Sequence, residues 1–364
     1  VARLLNHLDR TAVQPLLICL DRNGTAADWV QVDDVQVIEL HKRSGNDPRV
    51  VGKMARLLRR EGVELVHSHN WGTLVETSLA RRWARVPYHV HAERGTVLGS
   101  VDHVGWRSRM RAAVTRRILS SCDAILAVSE SVRGRLSDRC HIDRSRVEII
   151  ANGVDVPAVD NRQVARSECR RQLGISDDTI LIGSVGRLAP VKNFRMAVKA
   201  LEILSKRDLN CQLVLVGDGP QREQLAAWAN EAGIQQQVHL VGQQASVGPW
   251  LAAMDIFINT SVSEGMSQAI LEAMALGLPM VVTDVGENAR LVEDPEGCGD
   301  VIPSEDHERL AVALDSLVRD PERRRKLSQR AITRHRNHYT IGVMVQRYQQ
   351  LYGRLAAGTQ EESS

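Results

Sequence analysis

The stretch Asp255-Ile256-Phe257-Ile258-Asn259-Thr260-Ser261-Val262-Ser263-Glu264-Gly265-Met266-Ser267-Gln268-Ala269-Ile270-Leu271-Glu272-Ala273-Met274-Ala275-Leu276-Gly277-Leu278-Pro279 organises the reading of the whole chain. Its short apolar run, Ile256 to Ile258, has the pattern of a strand buried on both faces. Small polar residues follow, and a helical pattern starts near Met266 and closes at Gly277-Leu278-Pro279. Strand, polar loop and helix in that order bring backbone N–H groups to a strand's carboxyl end, where a phosphate or a sugar ring can bind. Glu264 falls at the loop tip and Glu272 nearly two turns into the expected helix, a separation suited to gripping hydroxyls at opposite ends of an elongated polyol.

The same arrangement recurs at Gly183-Ser184-Val185-Gly186-Arg187-Leu188, where Arg187 and Lys192 precede a helical stretch over 193–205. Two cations beside helix N–H groups are what a diphosphate requires. Leu215-Val216-Gly217-Asp218-Gly219-Pro220 half matches the dinucleotide fingerprint, but Arg222 stands at the third glycine position. It reads as a tight turn that lets backbone approach a nucleotide, or as turn chemistry alone. In the first half, His67-Ser68-His69-Asn70-Trp71-Gly72 and His91-Ala92-Glu93-Arg94-Gly95-Thr96 each follow a candidate strand. Their concentration at strand ends marks a candidate site, while His-x-His with no nearby cysteine is a poor metal set.

Further out, strand candidates alternate with amphipathic helical stretches along the entire chain, the pattern of parallel sheets in an α/β fold. They are 16–20, 35–40, 63–67, 88–92, 124–128 and 147–150 in the first half. The second half adds 180–185, 212–216, 239–241, 256–259 and 280–283. Asn152 to Gln163, with Asn-Gly and Pro157, interrupts the rhythm. The expected domains are therefore residues 1–155 and 163–335, with a last apolar-periodic helix over 336–357.

At 364 residues two domains are the natural count. Hydrophobic content of 43% with 25% charged residues, and no apolar run near the ~20 residues that cross a bilayer, excludes integral membrane and disordered chains. A net charge of +3 and 3% aromatic residues argue against a nucleic-acid binder. Six scattered cysteines without a C-x-x-C pair indicate neither a disulfide framework nor a zinc site and fit a reducing cytoplasm. The basic surplus lies in residues 1–155. There, 103–121 carries Arg107, Arg109, Arg111, Arg116 and Arg117 with no acid, and Trp106, Met110, Ala113 and Val114 at helical spacing. Such a helix can rest on anionic lipid headgroups, although basic solvated faces are common on helices of this class.

Taken in order, Asn152-Gly153-Val154-Asp155, Gly186-Arg187-Leu188 with Lys192-Asn193, Gly217-x-Gly219-Pro220, and Asp255 through Pro279 with Glu264 and Glu272 in an E-x7-E spacing resemble glycosyltransferase family 4. The resemblance spans essentially the whole chain. The segments at His67 and His91 are similar to a bacterial branch associated with exopolysaccharide assembly.

The resemblance implies a GT-B fold, two Rossmann-like doubly wound domains facing across a cleft, and transfer of a hexose with retention of configuration without a metal or other cofactor. No D-x-D triplet is present. The implied donor is a UDP- or GDP-linked sugar, held by Gly186, Arg187, Lys192, Gly217, Gly219, Glu264, Gly265, Met266, Ser267 and Glu272, with further hydrogen bonds from Thr260, Ser261 and Ser263. The implied acceptor, a glycan or a lipid-linked acceptor, meets His67, His69, Asn70, Trp71 and Glu93. His91, Arg94, Arg187, Lys192 and Glu264 are the implied catalytic set. Either His91 or Arg94 takes the role of the family's histidine, because His91 precedes Ala92 and it is Arg94 that precedes glycine. Apart from the resemblance, the cysteine pattern and the basic stretch 103–121 give the expected location, the cytoplasm with peripheral contact at the inner membrane face.

The family opens with a strand and a glycine-rich loop that this chain, starting at Val1 in a helical pattern, lacks, so a truncated sequence is expected. An epimerase, a glycan phosphorylase or a non-catalytic nucleotide-sugar binder would use the same frame.

Overall fold

The computed structural model describes residues 1–22, 29–43, 47–95, 106–159, 161–293 and 297–361. The chain divides into two compact units. One comprises residues 1–153 together with the chain from Ile341 onward; the other runs from Val154 to Thr340.

Every strand pair in the second unit is parallel. Its strands are β7 (Ile180–Val185), β8 (Cys211–Val216), β9 (Val238–Gly242), β10 (Ile256–Asn259), β11 (Met280–Thr283) and β12 (Gly299–Ile302), in the order β12-β11-β10-β7-β8-β9. Strand order reverses at β7 and β10, so loops leaving these adjacent strands diverge to opposite faces and leave a crevice at their carboxyl ends. The helix Phe194–Ser205 buries seven side chains, among them Phe194, Leu201 and Leu204, against this sheet. At the opposite ends of β7 and β10, Asp255 accepts from Arg166 at 2.7 Å, Arg170 at 3.2 Å and the Leu181 amide at 2.8 Å. The Arg170 side chain, 1% exposed, is thus compensated inside the unit. Asp255, which opens the motif, serves structure rather than the crevice.

β12 was absent from the strands expected. Gly299-Asp300-Val301-Ile302 is a weak strand pattern, yet the strand lies flush on β11: a Cβ at Gly299 would fall 2.1 Å from the Met280 carbonyl oxygen. Close approach of two backbones selects the glycine, which periodicity alone does not register.

In the first unit β1 (Leu16–Cys19) and β2 (Gln36–Glu39) form one parallel pair. A second parallel sheet takes β3 (Leu65–His69), β4 (Tyr88–Glu93), β5 (Ala124–Ala127) and β6 (Val147–Ile149) in sequence order. β3 begins and ends two residues beyond its expected span. Its register with β4 runs through Ser68 opposite His91 and His69 opposite Ala92, so ladder bonding carries the strand past its last aliphatic residue. The helix Ile341–Glu361 contributes Ile341, Met344, Val345, Tyr348 and Leu351 to a core shared with Leu4, Leu5, Leu8, Val90 and Leu126. No described helix is long and apolar enough to cross a membrane.

Candidate functional site

In the second unit the loops leaving β7 and β10 are joined by two hydrogen bonds. Thr260 Oγ1 donates to the Lys192 carbonyl at 2.7 Å, and the Val262 amide to the Val191 carbonyl at 2.9 Å. Thr260 therefore acts as a buried clamp on the lysine loop. Held this way, Lys192 Nζ lies 2.6 Å from Glu264 Oε1. Ser261 Oγ donates to the same oxygen at 2.7 Å, and Asn259 Nδ2 lies 3.5 Å from it. All three fall on Oε1. Glu264 Oε2 makes no hydrogen bond among the described residues and can accept from a ligand hydroxyl.

Beneath this pair is a buried polar network absent from the sequence reading. Asn259 Oδ1 accepts from the Ser261 amide at 3.1 Å and from Asn288 Nδ2 at 3.2 Å, and its amide nitrogen donates to Ser267 Oγ at 3.3 Å. Thr283 Oγ1 donates to the Ser261 carbonyl at 2.6 Å. Gly286, at φ +61°, backs the loop so closely that a Cβ there would sit 2.3 Å from the Glu264 carbonyl oxygen. The available signal was polar residues ending two buried strands, where a satisfied network specifies one loop geometry.

Because Ser267 Oγ is engaged with Asn259, it makes no side-chain cap, and the helix runs Gln268–Ala275 instead of starting at Met266. Glu272 consequently lies little more than one turn into the helix, where nearly two turns were expected. Arg187 is exposed after β7 and makes no ion pair among the described residues. Gly217 and Gly219 lie under this loop, since Cβ atoms there would fall 2.1 Å from the Gly186 and 2.5 Å from the Leu188 carbonyl oxygens. Their direct work is to let the β8 loop lock onto the β7 loop, which the Leu188 amide to Asp218 carbonyl bond of 2.9 Å completes.

In the first unit the expected residues divide between the two faces of the sheet. His89, His91 and Glu93 alternate along β4 and share one face. Ser68 Oγ is 2.9 Å from His89 Nε2 and 2.8 Å from His91 Nδ1, and His91 Nε2 is 3.9 Å from Glu93 Oε2. His91 and Glu93 are 1% and 2% exposed. This chain is buried in the unit; burial above all, and then His91 and Arg81, push His89 down to about 3.

Arg94, just beyond β4, gathers the other residues. Its amide donates to Asn70 Oδ1 at 2.9 Å and its Nε to His69 Nδ1 at 3.3 Å. Its terminal nitrogens donate to Asn152 Oδ1 at 3.0 Å and the Tyr348 hydroxyl at 3.2 Å. His67 Nδ1 is 2.8 Å from the Tyr352 hydroxyl. Burial first, and Arg94 among the neighbouring positive groups, hold His67 and His69 well below the ordinary histidine range. Trp71 instead meets the helix Trp106–Leu119, donating to Thr115 Oγ1 at 3.1 Å with Arg111 4.9 Å over its ring. Tyr348 and Tyr352, one turn apart on the last helix, carried no functional signal in the sequence beyond their spacing. Thr96 and residues 103–105 lie outside the described residues. Among the described residues no group of three or more His, Cys, Asp or Glu side chains is placed to hold a metal ion.

Comparison with known proteins follows this division. The model of Glycosyltransferase Family 4 matches residues 1–157, and that of Glycosyl transferases group 1 matches residues 165–334. A GDP-mannose-dependent alpha-mannosyltransferase of Mycolicibacterium smegmatis is 31% identical over 305 residues, covering 80% of this chain and 76% of that protein. The chain belongs to the family 4 and group 1 glycosyltransferases. A Bacillus subtilis protein designated glycosyltransferase EpsF is 30% identical over 220 residues, which span 60% of this chain and 57% of EpsF. The crystal structure of Anabaena Alr3699/HepE in complex with UDP and glucose superimposes with a TM-score of 0.78 at 17% identity, covering 95% of this chain and all of that one. The fold of the chain is accordingly GT-B, built from two Rossmann-like α/β units.

Proposed function

We propose that this glycosyltransferase moves a hexose from a UDP- or GDP-sugar to a glycan or lipid-linked acceptor in cell-surface or exopolysaccharide synthesis, with retention of configuration and without a metal. The observation that carries this reading is the Lys192–Glu264 pair, set by two stapled loops at the strand-order reversal of the second unit. A donor diphosphate takes Lys192 and Arg187, whose charges stabilise the leaving nucleotide as the glycosidic bond breaks. Glu264, freed from Lys192, accepts hydroxyls of the transferred sugar, assisted by the backbone from Gly265 to Ser267. Glu272 reaches the ribose. The HepE complex with UDP and glucose and the name of the mycobacterial relative support a nucleoside-diphosphate donor.

Residues of the first unit take the acceptor. Arg94, part-buried at a strand's end, suits contact with substrate better than His91, which is buried behind Ser68. We assign His91 to positioning β4.

The experiment is incubation with UDP- and GDP-hexoses and a panel of glycan and lipid-linked acceptors, with NMR assignment of the product anomer. A product retaining the donor's configuration is expected. Isomerised donor without an acceptor would replace the reading with an epimerase, phosphate-dependent release of sugar phosphate with a phosphorylase, and binding without turnover with a carrier.

A peripheral membrane contact at the cytoplasmic face is a second reading, favoured by the helix Trp106–Leu119. Trp106, Met110 and Val114 recur every four residues along it and are 69%, 52% and 43% exposed. Arg109, Arg116 and Arg117 belong to the same acid-free helix. Sedimentation with anionic vesicles should fall several-fold when Arg109 and Arg116 become Glu, at about 1 kcal/mol per charge; undiminished sedimentation would remove the reading.

A further inference from the structure

Arg94 is held entirely by neutral groups. Its guanidinium donates to His69, Asn152 and Tyr348, and it forms no ion pair among the described residues. Glu93, its neighbour in the chain, faces the other side of the strand toward His91. The two nearby histidines supply no negative charge and, held neutral, add no positive one. A part-buried cation is ordinarily matched by a carboxylate, because removing it from water without a counter-charge is costly. In the second unit Arg166, Arg170 and Lys192 all have such a match.

Guanidinium has five N–H donors. Three are spent on the neutral acceptors, leaving one on each terminal nitrogen, in the planar fork that fits a carboxylate or a phosphate. His67 Nε2, on the ring 4.2 Å from that of His69, is buried without a partner among the described residues. His67 Nδ1 is 2.8 Å from the Tyr352 hydroxyl, so Nε2 is the ring nitrogen still open to a ligand beside Arg94.

We infer that Arg94 is the receptor for an oxyanion on the acceptor substrate, so that the enzyme selects acceptors bearing a phosphate, diphosphate or carboxylate close to the hydroxyl that is glycosylated. The inference rests on the reading of the first unit as the acceptor unit. Arg94 fixes the acceptor by a forked, charge-assisted contact, while neutral Asn152, Tyr348 and His69 hold the fork still without competing for its charge.

Calorimetric titration of the wild type and of Arg94→Gln and Arg94→Lys tests it with four probes: an octyl hexoside, an octyl hexuronide, a farnesyl-diphosphate-linked hexose, and UDP. Wild type should bind the better of the two anionic probes at least about tenfold more tightly than the neutral one, the span of a hydrogen bond to a charged group. That preference should shrink between 50 and 500 mM salt. Arg94→Gln should bring the probes to similar affinity, Arg94→Lys should keep part of the preference, and neither should change UDP binding. Thermal melts of the variants check that they fold.

Equal binding of neutral and anionic probes by wild type, or an undiminished preference in folded Arg94→Gln, would overturn the inference. A loss of UDP affinity in Arg94→Gln matching its loss for the anionic probes would overturn it too, by assigning the oxyanion to the donor diphosphate. Failure of the transferase reading is separate: wild type would then bind no nucleotide sugar, whatever the acceptor probes do.

Discussion

At the carboxyl ends of β7 and β10, a cation and a carboxylate face each other at 2.6 Å; just beyond β4, a cation of similar burial rests on two hydrogen-bond acceptors of no charge and a neutral histidine. Both lie at the carboxyl ends of parallel strands, so the frame is common and the electrostatics differ. A site that carries its own counter-charge keeps its cation cheaply and must give that contact up when a diphosphate arrives. A site without one retains an unmet charge, and any anion that enters gains the whole interaction. Donor binding should therefore be an exchange of partners, and acceptor binding an addition.

The largest test of this contrast lies in the second unit. Lys192→Ala should reduce transfer by two orders of magnitude or more and weaken UDP binding, since it removes a cation from the departing diphosphate. Glu264→Gln should reduce transfer comparably yet leave UDP binding equal or tighter, because Lys192 is released from its carboxylate. Calorimetry with UDP decides: equal weakening by both substitutions would mean that the pair is not exchanged on binding.

A second comparison concerns stability. Asp255→Ala strands Arg166 and the fully buried Arg170, and should cost about 3–5 kcal/mol in denaturant unfolding. Asn152→Ala takes only a neutral acceptor from Arg94 and should cost about 1 kcal/mol. Similar losses would erase the distinction between compensated and uncompensated cations.

Acid gives the smallest effect. His89 is held at about 3, and His67 and His69 are also depressed, so each binds a proton more readily unfolded than folded. Their contribution to the first unit's stability is complete above the ordinary histidine value of about 6.5 and is lost as pH falls below it. His239 and His335 place a weaker dependence of the same sign in the second unit. Melting followed by Trp fluorescence at pH 7.5 and 5 should show a lower transition at pH 5. Arg94→Gln should lessen the shift slightly, because desolvation is the greater cause and Arg94 the lesser. A transition that rises on acidification would contradict the burial of these rings.

Much of the candidate site in the second unit is legible in the sequence. The strand limits of β7, β10 and β11 coincide with those expected from Ile180–Val185, Ile256–Asn259 and Met280–Thr283, because continuous aliphatic runs bounded by glycine or small polar residues admit few alternatives. Lys192 and Glu264, 72 positions apart, were expected to serve one ligand and lie in contact. The helix start was misplaced by two residues because the side chain of Ser267 is drawn to Asn259, a tertiary contact that local pattern does not contain. Gly217 and Gly219 read as a turn approaching a nucleotide or as turn chemistry alone, and the fold adds that they pack one loop on another.

The sequence by itself determined the parallel α/β class, the loop and helix order around Glu264 and Glu272, and the residue types that can meet a diphosphate or a hydroxyl, since these depend on periodicity and on chemistry carried by single residues. Only the tertiary structure decided which charges are matched. Whether Asp255 serves a crevice or Arg170, whether His91 faces a ligand or Ser68, and whether Arg94 has a carboxylate beside it depend on what distant segments bring within about 3 Å, and Coulomb energy changes most steeply over that short range.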